Sequence, residues 1–330
     1  RIASHTKAIV SAATMILQES GKLHINEPVA NYLPEFASTT VAVRDENDGY
    51  SVVPARRQIT IRDLLTHTSG VSYGTGIASD RWQEAGIQGW YTAHLEEPIR
   101  DTVQRMALLP FDAQPGERWV YGYNTDILGA VVEVASGLPL DEFLRTEIFE
   151  PLKMVDTHFY LPPEKLARLT TVYSSTDAGL SRAPDGSVMQ SQGQYVQGPR
   201  TSLSGGAGLL STAMDYGRFL QMLLNNGELD GIRILSPKTI ELMTANHVGD
   251  LTHFYPGNGF GLGFSIRQDL GSQGTPGSIG EFSWLGAYHS IYWVDPEEDL
   301  VVVYLSQLIP AGSIDDHTRL RNLIYQAITD

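Results

Sequence analysis

The sequence predicts an α+β fold: an antiparallel sheet flanked by helices, with a mainly helical domain inserted between the two chain ends. Three observations predict it. The chain opens on one segment, Ala3 to Ser20, dense in Ala, Ile, Val, Met and Leu. Its middle carries capped, helix-like segments separated by loops. Its last third carries consecutive strand-like runs joined by short polar turns, which favours antiparallel pairing. Residues 1–21 and 211–330 are expected to form the sheet domain and residues 22–210 the helical one, with the active site at their interface.

The opening segment is apolar on most faces and stops at Gly21, the pattern of a buried helix. Thr60-Ile61-Arg62-Asp63 is a capping box that opens a helix running to Ser69-Gly70. Asp101 to Leu109 is a further helix, closed by Pro110. Thr125 to Ala135 is ended by Ser136-Gly137, and Asp141 to Phe149 precedes Pro151. Polar, glycine-containing stretches near 44–58, 72–80 and 174–207 read as long loops, the kind that carry function. Thr212 caps a helix that runs to Asn226 and stops at Gly227. Ser236-Pro237 gives another helix a cap and a first-turn proline. Strands follow at Gly261 to Arg267, Phe282 to Ala287, Ser290 to Val294 and Leu300 to Leu305. The last two flank Asp295-Pro296-Glu297-Glu298-Asp299, a polar hairpin turn. Ser313 is expected to cap a final helix, Ile314 to Thr329.

Composition narrows the function. With 330 residues, 42% hydrophobic and 18% charged, the chain can build a core and is not a disordered segment. A formal charge of -15 repels phosphate backbones and argues against a nucleic-acid partner. The absence of cysteine excludes disulfides, thiolate nucleophiles and cysteine metal sites, and carries no information on compartment. No stretch approaches the roughly 20 apolar residues of a membrane span. The run Ala8 to Leu17 is too short, and lacks the cleavage pattern, for a signal peptide. The nine histidines form no H-E-x-x-H and no tight cluster, so no metal and no cofactor is called for. His5, His67 and His158 read as loop or helix residues with local hydrogen bonds. Gly205-Gly206-Ala207-Gly208 lacks the Gly-Lys-Ser/Thr of a phosphate loop and reads as a tight, substrate-facing turn or plain packing.

Ser4-His5-Thr6-Lys7 is the stretch with chemistry. At i and i+3 on a helix start, the serine hydroxyl and lysine amine stand on one face, close enough to touch. A nucleophilic serine needs a base or field that eases loss of its proton. The helix N-terminus supplies positive potential and a buried amine supplies a partner. The apolar helix behind Ser4 buries that pair; the plain alternative is a serine cap beside a solvated lysine.

Two further stretches complete a pattern. Pro115-Gly116-Glu117-Arg118-Trp119-Val120-Tyr121-Gly122-Tyr123 leads into Asp126 to Glu133, and Trp284-Leu285-Gly286-Ala287 precedes Ile291 to Pro296. With Ser4 to Lys7, their order and spacing resemble the serine β-lactamase-like (S-x-x-K hydrolase) family, and more narrowly class C β-lactamases and the family VIII carboxylesterases. Gly21-Lys22-Leu23, Ile59 to Gly70, Gly208 to Thr212 and Gly227 to Ser236 extend the likeness over nearly the whole chain. The resemblance implies a β-lactamase/transpeptidase-like fold. It also implies that Ser4 is acylated, that Lys7 is its cationic partner, and that Tyr121 relays the proton. A phenol near pKa 10 is a poor base at neutral pH unless cations favour its anion, and Lys7 is the nearest candidate. The backbone N–H groups of Ser4 and Ala287 would hold the oxyanion, with Gly286 leaving room for substrate.

Two departures set the expected substrate. Trp284 stands where β-lactamases of this family carry lysine, and Tyr123 stands where they carry asparagine, with Asn124 one step late. Both changes remove polar handles for a β-lactam or an acyl-D-alanine peptide. Trp119, Tyr123, Trp284, Leu285 and Gly286 are therefore expected to line a substrate pocket, and the substrate to be a small-molecule ester. Serine carboxylesterase is the expected activity. The alternatives are β-lactamase, D-amino-acid peptidase or acyltransferase chemistry on the same acyl-enzyme, and a non-catalytic binding protein on this fold. The family places a helix and two strands before the nucleophile, whereas Arg1 lies three residues before Ser4. A preceding N-terminal segment or a partner chain is expected to cover the sheet edge.

Overall fold

The computed structural model describes residues 1–47, 49–251 and 255–329. Ala3–His5 forms a 3-10 turn and Thr6–Glu19 forms helix α1. Ala8, Ile9, Val10, Ala12, Ala13, Met15 and Leu17 are each at most 1% exposed, so α1 is buried around most of its circumference, as its composition predicts. Each fully buried Ile, Val, Met or Leu contributes about 1.5–3 kcal/mol of transfer free energy, which makes this helix the axis of the core.

The region after α1 corrects one expectation. Strands β1 (Thr40–Arg44) and β2 (Tyr50–Pro54) pair antiparallel across part of the stretch read as a loop. The short β-branched runs TVAVR and YSVVP were masked by the polar turn between them. Helix α2 (Ile61–Leu65) opens with the expected capping box: Thr60 Oγ1 accepts from the Asp63 N–H at 3.2 Å, and Asp63 Oδ2 accepts from the Thr60 N–H at 2.8 Å. It stops short of Ser69-Gly70 because His67 adopts a left-handed φ of +57°. Then come α3 (Ser79–Glu84), α4 (Ile99–Met106), and β3 (Pro110–Phe111), which pairs parallel to β1. Helix α5 (Asn124–Ser136) packs on α1 and ends at Gly137, φ +77°. Helix α6 (Leu140–Leu144) continues as a π turn over Arg145–Phe149. Strands β4 (Tyr173–Thr176) and β5 (Gly179–Arg182) form a hairpin at the start of the third region read as loop, near 174–207.

Helix α7 (Ala213–Leu224) is capped by Thr212, whose Oγ1 accepts from the Asp215 N–H at 3.1 Å. The hairpin β6 (Glu228–Leu229) and β7 (Ile232–Arg233) leads to α8 (Pro237–Met243), capped by Ser236. Strands β8 (Asn258–Phe260), β9 (Ser265–Arg267), β10 (Phe282–Gly286), β11 (Ser290–Asp295) and β12 (Leu300–Tyr304) make an antiparallel sheet in the order β12-β11-β10-β9-β8. The single strand expected over Gly261 to Arg267 is divided, because residues 261–264 turn between β8 and β9. Helix α9 (Asp316–Tyr325) is shorter than expected and uses no side-chain cap, Ser313 included.

The sheet is covered on both faces. Tyr292 of β11 meets His5 and Tyr216 beside α1 and α7, at ring centroid distances of 5.0 and 5.3 Å. Trp293, its neighbour on the strand, stacks on Tyr325 of α9. The fold is thus α+β, an antiparallel sheet flanked by helices.

The turn at Gly263 joins the sheet to α1. Its φ is +96°, and a Cβ there would lie 2.3 Å from Ser11 Oγ, whereas one on Gly137 would meet open space. Gly263→Ala should therefore lower unfolding stability by about 2–4 kcal/mol and Gly137→Ala by only about 1–2 kcal/mol. Denaturant midpoints check this, and equal losses in the two variants would contradict it.

Candidate active site

Ser4 lies on the 3-10 turn ahead of α1, and Ala3 before it holds φ +43°. A left-handed alanine costs about 1–2 kcal/mol, so the turn must be held from outside. Three contacts do so. The Ile2 N–H donates to Leu209 O at 3.1 Å, the Leu209 N–H donates to Thr6 Oγ1 at 3.1 Å, and the Tyr216 hydroxyl donates to His5 O at 2.9 Å. Ser4 itself is 9% exposed.

Lys7 is one turn deeper and 2% exposed. Its Nζ donates to Ser4 Oγ at 3.3 Å, to the Tyr73 hydroxyl at 3.0 Å and to Gly206 O at 2.7 Å, which engages all three ammonium protons. Behind Gly206 stands Asp126 of α5. Its Oδ1 accepts from Ser204 Oγ at 2.6 Å and from the Gly206 N–H at 3.1 Å. Burial raises the Asp126 carboxyl above its ordinary value, and Lys7 offsets only part of that rise. Gly206 thus sits between a buried ammonium and a buried carboxyl, its C=O facing one and its N–H the other. A Cβ on Gly206 would lie 2.4 Å from Asp126 Oδ2, so the position requires glycine. The glycine-rich stretch is a turn packed on α5 that offers a carbonyl to Lys7, a role its sequence did not suggest.

Tyr121 presents its ring face to Lys7, with Nζ 4.7 Å from the ring centroid. The Trp284 Nε1–H donates to the Tyr121 hydroxyl oxygen at 3.0 Å. Trp119 stacks on Tyr121 at 5.7 Å and 12°, and His67 lies at 4.8 Å. Trp284 is therefore more than the apolar wall expected of it: it is 4% exposed and fixes the phenol. Tyr73 was missed by sequence reasoning. Burial, then Tyr121, Asp126 and Tyr123, push its phenol well above the ordinary value, so it stays neutral beside Lys7. Its position three residues after Gly70, in a loop following the Thr60 helix, was the available signal.

Two neighbours sit differently from the expectation. Tyr123 is 1% exposed, stacks on Trp82 and donates to Gly89 O at 2.6 Å, so it packs in the core behind Tyr73. Asn124 is fully buried, and its Nδ2 donates to His67 Nδ1 at 2.9 Å and to Val71 O and Val120 O at 3.2 Å. Its Oδ1 accepts from Ser69 Oγ. The displaced asparagine is a clamp between the His67–Val71 loop and the Tyr121 segment. His67 is held well below the ordinary histidine value by burial and then by Lys7. Burial likewise lowers His5 to about 3, and its ring packs edge-on to Tyr292. His158 lies half-buried beside Lys165 Nζ at 3.0 Å.

Strand β10 ends against the Ser4 turn. A Cβ on Gly286 would lie 2.8 Å from Ile2 O and 3.3 Å from His5 Nε2, and Ala287 packs against the small apolar cluster that holds Ala3. The strand period turns the Leu285 side chain to the face opposite Trp284 and Gly286, which removes it from the expected wall.

The Beta-lactamase family profile matches residues 1–326. A protein of Mycobacterium tuberculosis (strain CDC 1551 / Oshkosh) described as uncharacterized is 36% identical, over 96% of this chain and 79% of its own. Esterase EstB of Burkholderia gladioli is 31% identical, over 98% of this chain and 81% of its own. The structure of EstCE1, a hydrolase with promiscuous acyltransferase activity, superposes with a TM-score of 0.83 at 26% identity, covering 98% of this chain and 84% of that one.

Two stability predictions follow from the buried polar groups. Asn124→Ala strands several partners and should lower stability by about 2–4 kcal/mol in chemical denaturation; a loss within experimental error would contradict the clamp. His5 has a folded value below its unfolded one, so between about 3 and 6.5 the unfolded chain binds more protons. Its contribution is complete above that window and falls with pH, by up to about 1.4 kcal/mol per pH unit. His5→Phe should accordingly flatten the dependence of stability on pH between 7.5 and 5; an unchanged slope would refute this.

Proposed function

The chain belongs to the β-lactamase family, and from that premise we propose that it is a serine carboxylesterase, of the class C and family VIII type, acting through an acyl-enzyme on Ser4. The observation that carries this reading is the 3.3 Å contact between Lys7 Nζ and Ser4 Oγ, with Tyr121 fixed across the same ammonium. In the proposed reaction Tyr121 takes the serine proton as Ser4 Oγ attacks the ester carbonyl. Lys7 stabilises the charge on both oxygens, and the Ser4 and Ala287 N–H groups receive the oxyanion. Tyr121 then returns the proton to the leaving alcohol; in deacylation it takes a proton from the water that attacks the acyl carbon and passes it to Ser4 Oγ as the acid leaves. We place the reaction where the proposed sheet domain, residues 1–21 and 211–330, meets residues 22–210.

Ester is preferred to amide for two reasons of chemistry. Trp284 carries no charge to attract a substrate carboxylate, and its N–H is engaged by Tyr121. The asparagine that would hold an acyl amide is replaced by a core tyrosine, while Asn124 is occupied between loops. Acyl transfer is the second reading, favoured by the likeness to EstCE1.

A fluorophosphonate should add one mass increment, located on Ser4, and Ser4→Ala should abolish both the label and turnover of p-nitrophenyl esters. Tyr121→Phe should lower kcat/KM by about 10²–10⁴-fold; near-normal turnover would shift the assignment to another base. Cephalosporin turnover at a rate comparable with the ester would overturn the ester preference. Product partition towards an added alcohol would favour the transferase reading.

A further inference from the structure

His289 and the Asp316-His317 pair lie 27 residues apart, so no spacing in the sequence joins them. We propose that His289, Asp316 and His317 bind a borderline transition-metal dication such as Zn2+, which clasps α9 to the β10–β11 hairpin outside the proposed reaction centre. One donor atom from each residue lies within 4.8 Å of the others, a span that one ion with bonds of about 2.0–2.2 Å can draw together. His289 Nε2 and Asp316 Oδ1 are already 2.6 Å apart, and the two imidazoles face each other at 4.0 Å and 14°.

The surroundings hold these groups in place. Asp316 Oδ2 accepts from the Tyr304 hydroxyl at 2.6 Å, the outer contact that orients a ligating carboxylate and leaves Oδ1 for the ion. His289 stands at φ +59° in a turn held by Ser306, whose Oγ donates to Tyr288 O at 2.9 Å and to His289 O at 2.6 Å. The His289 and Asp316 side chains are 13% and 36% exposed, which gives an ion entry and leaves water to complete its coordination. Two imidazole nitrogens and one carboxylate oxygen suit Zn2+, Co2+ or Ni2+ and disfavour Mg2+ and Ca2+, which prefer all-oxygen shells. Binding replaces the hydrogen bond between His289 Nε2 and Asp316 Oδ1: the neutral imidazole carries its proton on Nδ1 instead, and metal–nitrogen and metal–oxygen bonds form from the freed Nε2 and Oδ1. The site stands independently of the esterase reading.

The test uses the full chain without a histidine tag, freed of metal by chelator. Zn2+ is titrated by calorimetry and Co2+ by its visible absorption. One Zn2+ per chain is expected, with a raised melting temperature and Co2+ bands typical of nitrogen and oxygen ligands. His317→Ala, the size-conserving His317→Gln and Asp316→Asn should each weaken Zn2+ at least tenfold and remove the melting shift. Circular dichroism establishes that each variant tested is folded. Failure of the wild type to bind up to millimolar Zn2+, or equal binding by folded variants, would overturn the proposal and leave the cluster as a hydrogen-bonded clasp.

Discussion

A lysine ammonium almost without solvent is the constraint around which this site is organised. Moving an isolated ammonium from water into a protein interior costs several kcal/mol unless oxygens replace its hydration shell. Here the replacements are Ser4 Oγ, the Tyr73 hydroxyl and the Gly206 carbonyl, with the Asp126 carboxyl bound to the N–H of that same glycine. That requirement accounts for residues with no reactive atom of their own. Gly206 must be glycine to fit against Asp126, Ser204 secures the carboxyl, and the first turn of α5 is fixed at the depth that brings Asp126 to the loop.

The aromatic groups around Lys7 extend the same logic. Tyr121 is held between the stacked Trp119 ring, the His67 ring and the Trp284 N–H. Each contact limits rotation of the phenol, and the relay we propose for Tyr121 would gain from geometry preorganised in this way. The two departures from the β-lactamase pattern have therefore been absorbed into structure. A tryptophan in place of a lysine now anchors the phenol, while a tyrosine in place of an asparagine fills the core, with the asparagine beside it joining two loops.

What the sequence revealed is what short segments encode. The Thr60, Thr212 and Ser236 caps each depend on a side chain reaching a backbone N–H three residues on, and each was legible. The buried character of α1 and the pairing of Ser4 with Lys7 are likewise local. Gly206 meets Lys7 from 199 residues away and Tyr73 meets it from 66, distances over which no periodicity speaks. The division between β8 and β9 follows from Gly263 seating against Ser11. That contact exists only once α1 and the sheet have met.

The most direct test of the account is the pre-steady-state burst of p-nitrophenol in Lys7→Met, which keeps the volume of the side chain and removes its charge. The account predicts a folded protein whose acylation rate falls by about three orders of magnitude or more, the scale of losing an activating partner and the charge stabilisation it provides. A burst within tenfold of the wild type would contradict it, because Ser4 would then be activated without the buried cation.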